Sequence, residues 1–123
     1  MTAGSKPDCL FCRVVSGQIP STKVIETDDV LAFRDINPSA PEHVLVIPKG
    51  HVADSVADLE VGDAAGAGIW SALLTVVQQV AGSSPEFADG WRLVTNVGEN
   101  GGQSVFHLHL HVLAGRRLTW PPG

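Results

Sequence analysis

The sequence has little that would tie it to a secreted, membrane or nucleic-acid-binding role. It holds two cysteines, Cys9 and Cys12, in 123 residues, whereas a small secreted domain carries several pairs at longer separations. No apolar run approaches the ~20 residues that a membrane helix needs. Met1–Pro7 lacks the apolar centre of a signal peptide. There is no basic run, and 8 basic against 13 acidic residues give a net charge of −5, which argues against a broad nucleic-acid footprint. Charged residues are scarce at 17% beside 44% hydrophobic, so the chain is globular and not disordered. One cytoplasmic domain is expected over residues 9–123, after a flexible tail at 1–8, with no nucleic acid and no membrane as partner.

Hydrophobic periodicity divides the domain. A short helix is expected from Cys9 to Ser16, with Asp8 as its cap and Gly17 as its stop. Lys23–Glu26 and Val30–Asp35 read as a hairpin around Thr27-Asp28-Asp29. His43–Pro48 is apolar on both faces and reads as a central strand. A long helix is expected from about Leu59 to Ala81, because Ile69, Leu73, Val76, Val77 and Val80 fall on one stripe. Gly66 and Gly68 weaken its first half by about 1 kcal/mol each, or else mark close packing against the sheet. Trp91–Asn96 and Val105–Leu113 complete five strands. The fold class is α+β, a five-stranded antiparallel meander with one long and one short helix.

The most informative segment is Phe106-His107-Leu108-His109-Leu110-His111-Val112-Leu113. Alternation at period two makes a strand with three imidazoles on one face, about 6.6 Å between neighbours. Packing does not require such a row, and histidine titrates near neutral pH. A neutral imidazole attacks an acyl or phosphoryl centre when its other nitrogen is fixed by a hydrogen bond. Before the row lies Gly98-Glu99-Asn100-Gly101-Gly102-Gln103-Ser104. Its glycines allow backbone amides to converge on an anion, with Gln103 and Ser104 as further donors.

Two more features bear on chemistry. Cys9-Leu10-Phe11-Cys12 reads as half a zinc site, a redox pair or two buried thiols. As a zinc site it needs two further ligands, and His51 with one histidine of the row offers them. Asp35, at the end of the second strand, is placed to accept ribose hydroxyls or to cap loop amides.

With these residues assembled, the chain resembles the histidine triad family, and within it the nucleotide-binding branch of purine nucleoside phosphoramidases. The triad is matched by His107–Leu113. Further matches are Leu31–Ile36, His43–Lys49, Gly101–His107 and the terminal Trp120-Pro121-Pro122-Gly123. The resemblance implies a homodimer whose two sheets join into one of ten strands. It implies cleavage of a phosphorus–nitrogen bond in a purine nucleoside phosphoramidate through a nucleotidyl-histidine intermediate, with a nucleoside monophosphate as product. His109 would be the nucleophile. His111 would contact the phosphate and protonate the leaving group, and His107 and His43 would extend the hydrogen-bond network. Ser104 would hold phosphate oxygens, with Asn96, Gly102 and Gln103 beside it. Asp35 would bind the ribose, while Phe11, Val14, Ile19, Phe33 and Ile36 would wall the base. Trp120 of a second subunit would shape the leaving-group side. No cofactor is implied for the chemistry. A structural zinc is implied at Cys9, Cys12, His51 and His107, by similarity to relatives that bind it at these positions, and it would take His107 out of the proton network. The alternatives are a dinucleoside polyphosphate hydrolase of the same family and a nucleotide- or zinc-binding module acting through a partner.

Overall fold

A computed structural model describes residues 4–123. Helix α1 spans Leu10–Ser16 and is followed by β1 (Lys23–Glu26), β2 (Val30–Arg34) and β3 (Glu42–Pro48). A single 3-10 turn at Val56–Asp58 leads into α2 (Ala64–Ala81), and a second at Pro85–Phe87 leads into β4 (Arg92–Val94) and β5 (Leu110–Ala114). The sheet is antiparallel throughout, in the order β1-β2-β3-β5-β4. The expected α+β class and five antiparallel strands are present. The order departs from a strict meander at one place: α2 carries the chain past β3 to the sheet edge, and β5 returns between β3 and β4.

The two faces of the sheet have different tasks. Leu108, Leu110 and Val112 join Val44, Val46, Leu73, Val76, Val77 and Val80 in the core under α2. Burial of each such Leu or Val side chain contributes about 1.5–3 kcal/mol. The opposite face holds Phe11, Val14, Leu31, Phe33, Leu45 and Ile47 under α1. The histidines share this second face, so the alternation read from the sequence sorts core from site.

Several boundaries move. Cys9, not Asp8, is the N-cap of α1, and its sulfur accepts from the Cys12 amide. Gly17 ends the helix in the left-handed conformation, at φ 85°. Helix α2 starts at Ala64 because Asp63 caps it on the Gly66 amide, and Ser55 caps the earlier turn. Strand β5 starts at Leu110, not Val105. The Thr95 hydroxyl takes the His109 carbonyl, and His107 and His109 precede the ladder. Part of the expected tail, residues 1–3, lies outside the described residues. The remainder is tied down: the His51 amide donates to the Gly4 carbonyl at 3.1 Å, and Arg13 Nε donates to that of Pro7 at 2.8 Å.

Candidate active site and metal centre

The side chains of the histidine row diverge into two neighbouring sites. His107 is completely buried. Its Nε2 lies 2.9 Å from the Pro48 carbonyl, and a carbonyl can only accept, so Nε2 carries the proton and Nδ1 is bare. That bare nitrogen faces Cys9 Sγ at 3.4 Å and Cys12 Sγ at 3.6 Å. The Nδ1 of His51 approaches Cys12 Sγ at 3.6 Å, and its Nε2 bonds Asp54 at 2.8 Å. One ligand atom from each of Cys9, Cys12, His51 and His107 lies within 4.8 Å of all the others.

This arrangement fits a tetrahedral zinc. Bond lengths of about 2.3 Å to sulfur and 2.05 Å to nitrogen place adjacent ligand atoms about 3.6 Å apart. Both histidines anchor the nitrogen that does not face the cluster, as ligating histidines do. Burial lowers the His107 pKa to about 4, so the ring is neutral and its lone pair is free for a metal. Burial also raises the Cys9 thiol, the direction expected for a sulfur withdrawn from water without a cation beside it. The helix gives the cysteines their spacing, since Cys9 at the cap and Cys12 one turn later present both sulfurs to one point.

His109 turns the other way. Its Nδ1 lies 2.7 Å from the His107 carbonyl, which fixes the proton on Nδ1 and leaves Nε2 with a free lone pair. Phe11 packs edge-on against this ring, centroids 5.0 Å apart. Burial lowers the His109 pKa, so the lone pair is available at neutral pH.

His111 has the opposite tautomer. The Ser39 amide donates to His43 Nδ1 at 3.0 Å, and an amide can only donate, so His43 carries its proton on Nε2. That proton points to His111 Nδ1 at 2.9 Å, which leaves the His111 proton on Nε2. His43 and His111 reach each other because they are diagonal neighbours across β3 and β5, where Leu45 opposes His111. Among the described residues, His111 Nε2 is a buried side-chain nitrogen without a protein partner. Burial holds the His111 pKa down at about 4 and lowers that of His43, against a smaller upward pull from Asp35. The Asp35 carboxylate lies 3.5 Å from His43 Nε2 and also caps the Asn37 amide at 2.8 Å. A lone-pair nitrogen on His109 thus stands beside an N–H donor on His111, with ring centroids 5.0 Å apart.

Both rings line a cleft of about 270 Å³. Its walls include Phe11, Val14, Ile19, Phe33, Asp35, Ile36 and Ser104, all expected from the sequence, together with Leu10, Arg34, Asn37 and Leu45. The cleft is mostly apolar, with a few polar groups among its walls, as small-molecule sites are. His43 stands behind His111 and does not line it.

Other expected residues lie elsewhere. His107 belongs to the cysteine cluster. Gln103 is buried, its Oε1 accepting from the Gly98 amide and its Nε2 donating to the Asp54 and Val105 carbonyls. The glycine loop does not form an anion nest at these amides: those of Gly98, Gly102 and Gln103 bond within the loop, so its contribution to the cleft is Ser104 and Val105. Asn96 and Gly102 are not among the cleft walls. Trp120 is 81% exposed, away from the cleft of its own chain. The Ser39 amide and the Pro48 carbonyl, which set two of the tautomers, have no side-chain signal in the sequence. Asp54 has one only in hindsight, as a carboxylate three residues after His51.

The HIT domain profile matches residues 16–118. A 14 kDa zinc-binding protein of Zea mays is 46% identical over 114 residues, spanning 93% of this chain and 87% of the relative. The chain belongs to the HIT family. Adenylylsulfatase HINT1 of Arabidopsis thaliana is 44% identical over 93% of this chain and 76% of its own length. Among solved structures, a HIT family hydrolase from Legionella pneumophila matches with a TM-score of 0.86 at 44% identity, covering 94% of this HIT chain and all of the other. A histidine triad protein from Clostridium difficile matches with a TM-score of 0.85 at 44% identity, over 94% and 96% of the two chains. The relatives that share this fold therefore include hydrolases and a protein named for zinc.

Proposed function

We propose that this HIT protein is a nucleoside phosphoramidase that works through a nucleotidyl-histidine. The observation that carries the reading is the pair of opposite tautomers in one cleft: a bare Nε2 on His109 beside an N–H on His111. The apolar walls around Phe11, Val14, Ile19, Phe33 and Ile36 suit a purine, and Asp35 suits the ribose hydroxyls. Ser104, an exposed residue of the cleft wall, suits a phosphate oxygen.

In the first displacement, the His109 Nε2 lone pair forms a bond to phosphorus as the phosphorus–nitrogen bond breaks; His111, made cationic by a proton taken up with the anionic substrate, passes its Nε2 proton to the departing amine and is left neutral. In the second, His111 takes a proton from water, whose oxygen attacks phosphorus and releases His109 with a nucleoside monophosphate. The nucleophile His109 must be neutral to attack, and burial keeps it so, while the negative phosphate beside His111 favours the cationic form that the first stage needs.

The same reading includes a zinc held by Cys9, Cys12, His51 and His107. The geometry of the four ligand atoms and a relative named for zinc binding support it. When bound, the metal is structural, closed by four protein ligands, and ties α1 to the end of β3 and to the start of the triad.

A homodimer completes the proposal. Strand β4 is an outer strand of the sheet, and Leu93 within it, Trp91 just before it and Val97 after it are exposed. An unpaired edge with apolar side chains invites a second copy.

A second reading follows from the relative named adenylylsulfatase: the same attack on phosphorus with sulfate, not an amine, as the leaving group. Rates on adenosine phosphoramidate and on adenylyl sulfate, measured side by side with purified protein, test both. Faster turnover of the phosphoramidate supports the proposal. No release of a nucleoside monophosphate from either compound overturns it and leaves a binding module.

A further inference from the structure

We infer that the Gly115–Arg116 turn is a positioning device that sets the proton on His111 by holding the Ser39 amide in place. The inference rests on the reading of His111 as the proton donor, and it concerns residues outside the cleft.

Four hydrogen bonds run in sequence. Arg116 Nη2 donates to the Ser39 carbonyl at 2.9 Å. The Ser39 amide donates to His43 Nδ1 at 3.0 Å. His43 Nε2 donates to His111 Nδ1 at 2.9 Å. The fourth anchors the start: Arg116 Nη1 donates to the Arg117 carbonyl at 3.0 Å, so the guanidinium bridges its own turn and the Ser39 segment. The chain ends at His111 Nε2, the buried nitrogen without a protein partner.

The segment needs such a hold. Ile36–Ser39 is exposed, and Pro38 and Pro41 have no amide protons to anchor it. Ala40 is buried, but nothing in that contact orients the preceding amide. The turn after β5 adds a second contact. Gly115 has φ +96°, and a Cβ there would lie 2.7 Å from Pro41 Cβ. The absent side chain lets the turn close on the Pro41 ring and brings Arg116 within reach of Ser39. Each neutral histidine has two tautomers of similar energy in water, so one well-aligned amide decides between them. If the Ser39 amide turns away, His43 can carry its proton on Nδ1. Its Nε2 then accepts from His111, and the donor facing the cleft is lost.

The test uses full-length Arg116→Ala and Arg116→Lys proteins labelled with 15N at histidine. Protonated and bare ring nitrogens give well-separated shifts, so tautomers are read directly and independently of turnover. In the unaltered protein, His43 is expected to be bare at Nδ1 and His111 bare at Nδ1. In Arg116→Ala, the His43 and His111 nitrogens are expected to move toward the average of the two forms. With them, kcat on adenosine phosphoramidate falls about tenfold, the scale of one hydrogen bond, with KM nearly unchanged. Arg116→Lys, which keeps one donor, restores both. Unaltered His43 and His111 shifts in Arg116→Ala overturn the inference, whether or not kcat falls. If the unaltered protein releases no nucleotide from a phosphoramidate, the proposed function fails while the shifts still decide the tautomer question.

Discussion

The Nδ1 of His109 lies 2.7 Å from the backbone carbonyl of His107. One residue thus touches two sites: the His107 side chain is a corner of the candidate metal site, and its carbonyl fixes the proton of the candidate nucleophile. The three histidines of the row are not equivalent. In the proposed function the first holds the metal, the second attacks and the third handles protons, and each of these roles rests on whichever fixed donor or acceptor meets its other nitrogen.

The nucleophile assignment predicts that His109→Ala lowers turnover of adenosine phosphoramidate by more than about a thousandfold. Brief mixing with substrate followed by mass spectrometry should show a covalent nucleotidyl adduct on the unaltered protein and none on His109→Ala. An adduct that persists in the variant places the bond on another residue.

The metal cluster predicts one zinc per chain by elemental analysis. Cys12→Ser should lose that zinc and at least about 3 kcal/mol of stability, several degrees or more in Tm. A chelator should lower the Tm of the unaltered protein and leave that of the variant almost unmoved. Equal Tm values for all samples mean that the cluster holds no structural metal.

The buried pair His43 and His111 predicts an acid-side loss of stability. Both pKa values are lowered in the folded chain, that of His111 to about 4, and unfolding returns them to about 6.5. Between these values the unfolded chain binds more protons, so unfolding free energy rises with pH and falls as pH drops from about 6.5 to 4. Urea unfolding at pH 7 and pH 5 measures the slope. His111→Gln should flatten it, by an amount on the order of 1–2 kcal/mol across that interval. An unchanged slope in the variant removes His111 as a contributor.

The edge strand predicts a concentration-dependent dimer. Leu93→Asp puts a charge on the exposed face of β4 and should shift sedimentation velocity toward the monomer. Retention of the mass of the unaltered protein would place any self-association on a different surface.

Much of the site was legible because side-chain chemistry carried it. The alternation of His107, His109 and His111 with Leu108, Leu110 and Val112 separated core from site. The zinc alternative for Cys9 and Cys12 needed two further ligands, and the fold brings His51 and His107 beside them. The unread part was backbone. The Pro48 carbonyl and the Ser39 amide, which decide which nitrogen is bare, belong to residues whose side chains take no part. Glycines were ambiguous in the same way. The 98–102 run looked like an anion nest, but the Gly98 amide bonds the Gln103 side chain and the Gly102 amide bonds the Glu99 carbonyl, so these donors are used within the loop. Sheet order was unreadable from strand patterns because a helical connection does not reveal which side of a neighbour the next strand takes.

The two glycines early in α2 make opposite predictions. By helix propensity alone, alanine at either position stabilises by about 1 kcal/mol. At Gly68 the space is open, with nothing within 4 Å of an added Cβ, so Gly68→Ala should realise most of that gain and raise Tm by a few degrees. At Gly66 an added Cβ would lie 1.9 Å from the Glu60 carbonyl oxygen and 2.5 Å from its carbon. These are backbone atoms that cannot rotate away. The Gly66 amide also accepts no substitute geometry, because it bonds the Asp63 carboxylate at 2.8 Å in the cap of the helix. Relief of the clash therefore means displacing the 60–63 turn and weakening the cap together, and Gly66→Ala should destabilise by about 2 kcal/mol or more. Thermal unfolding of the two variants beside the unaltered protein checks both signs at once. A gain at both positions would show that the turn before α2 yields freely and that the close approach at Gly66 is not a constraint.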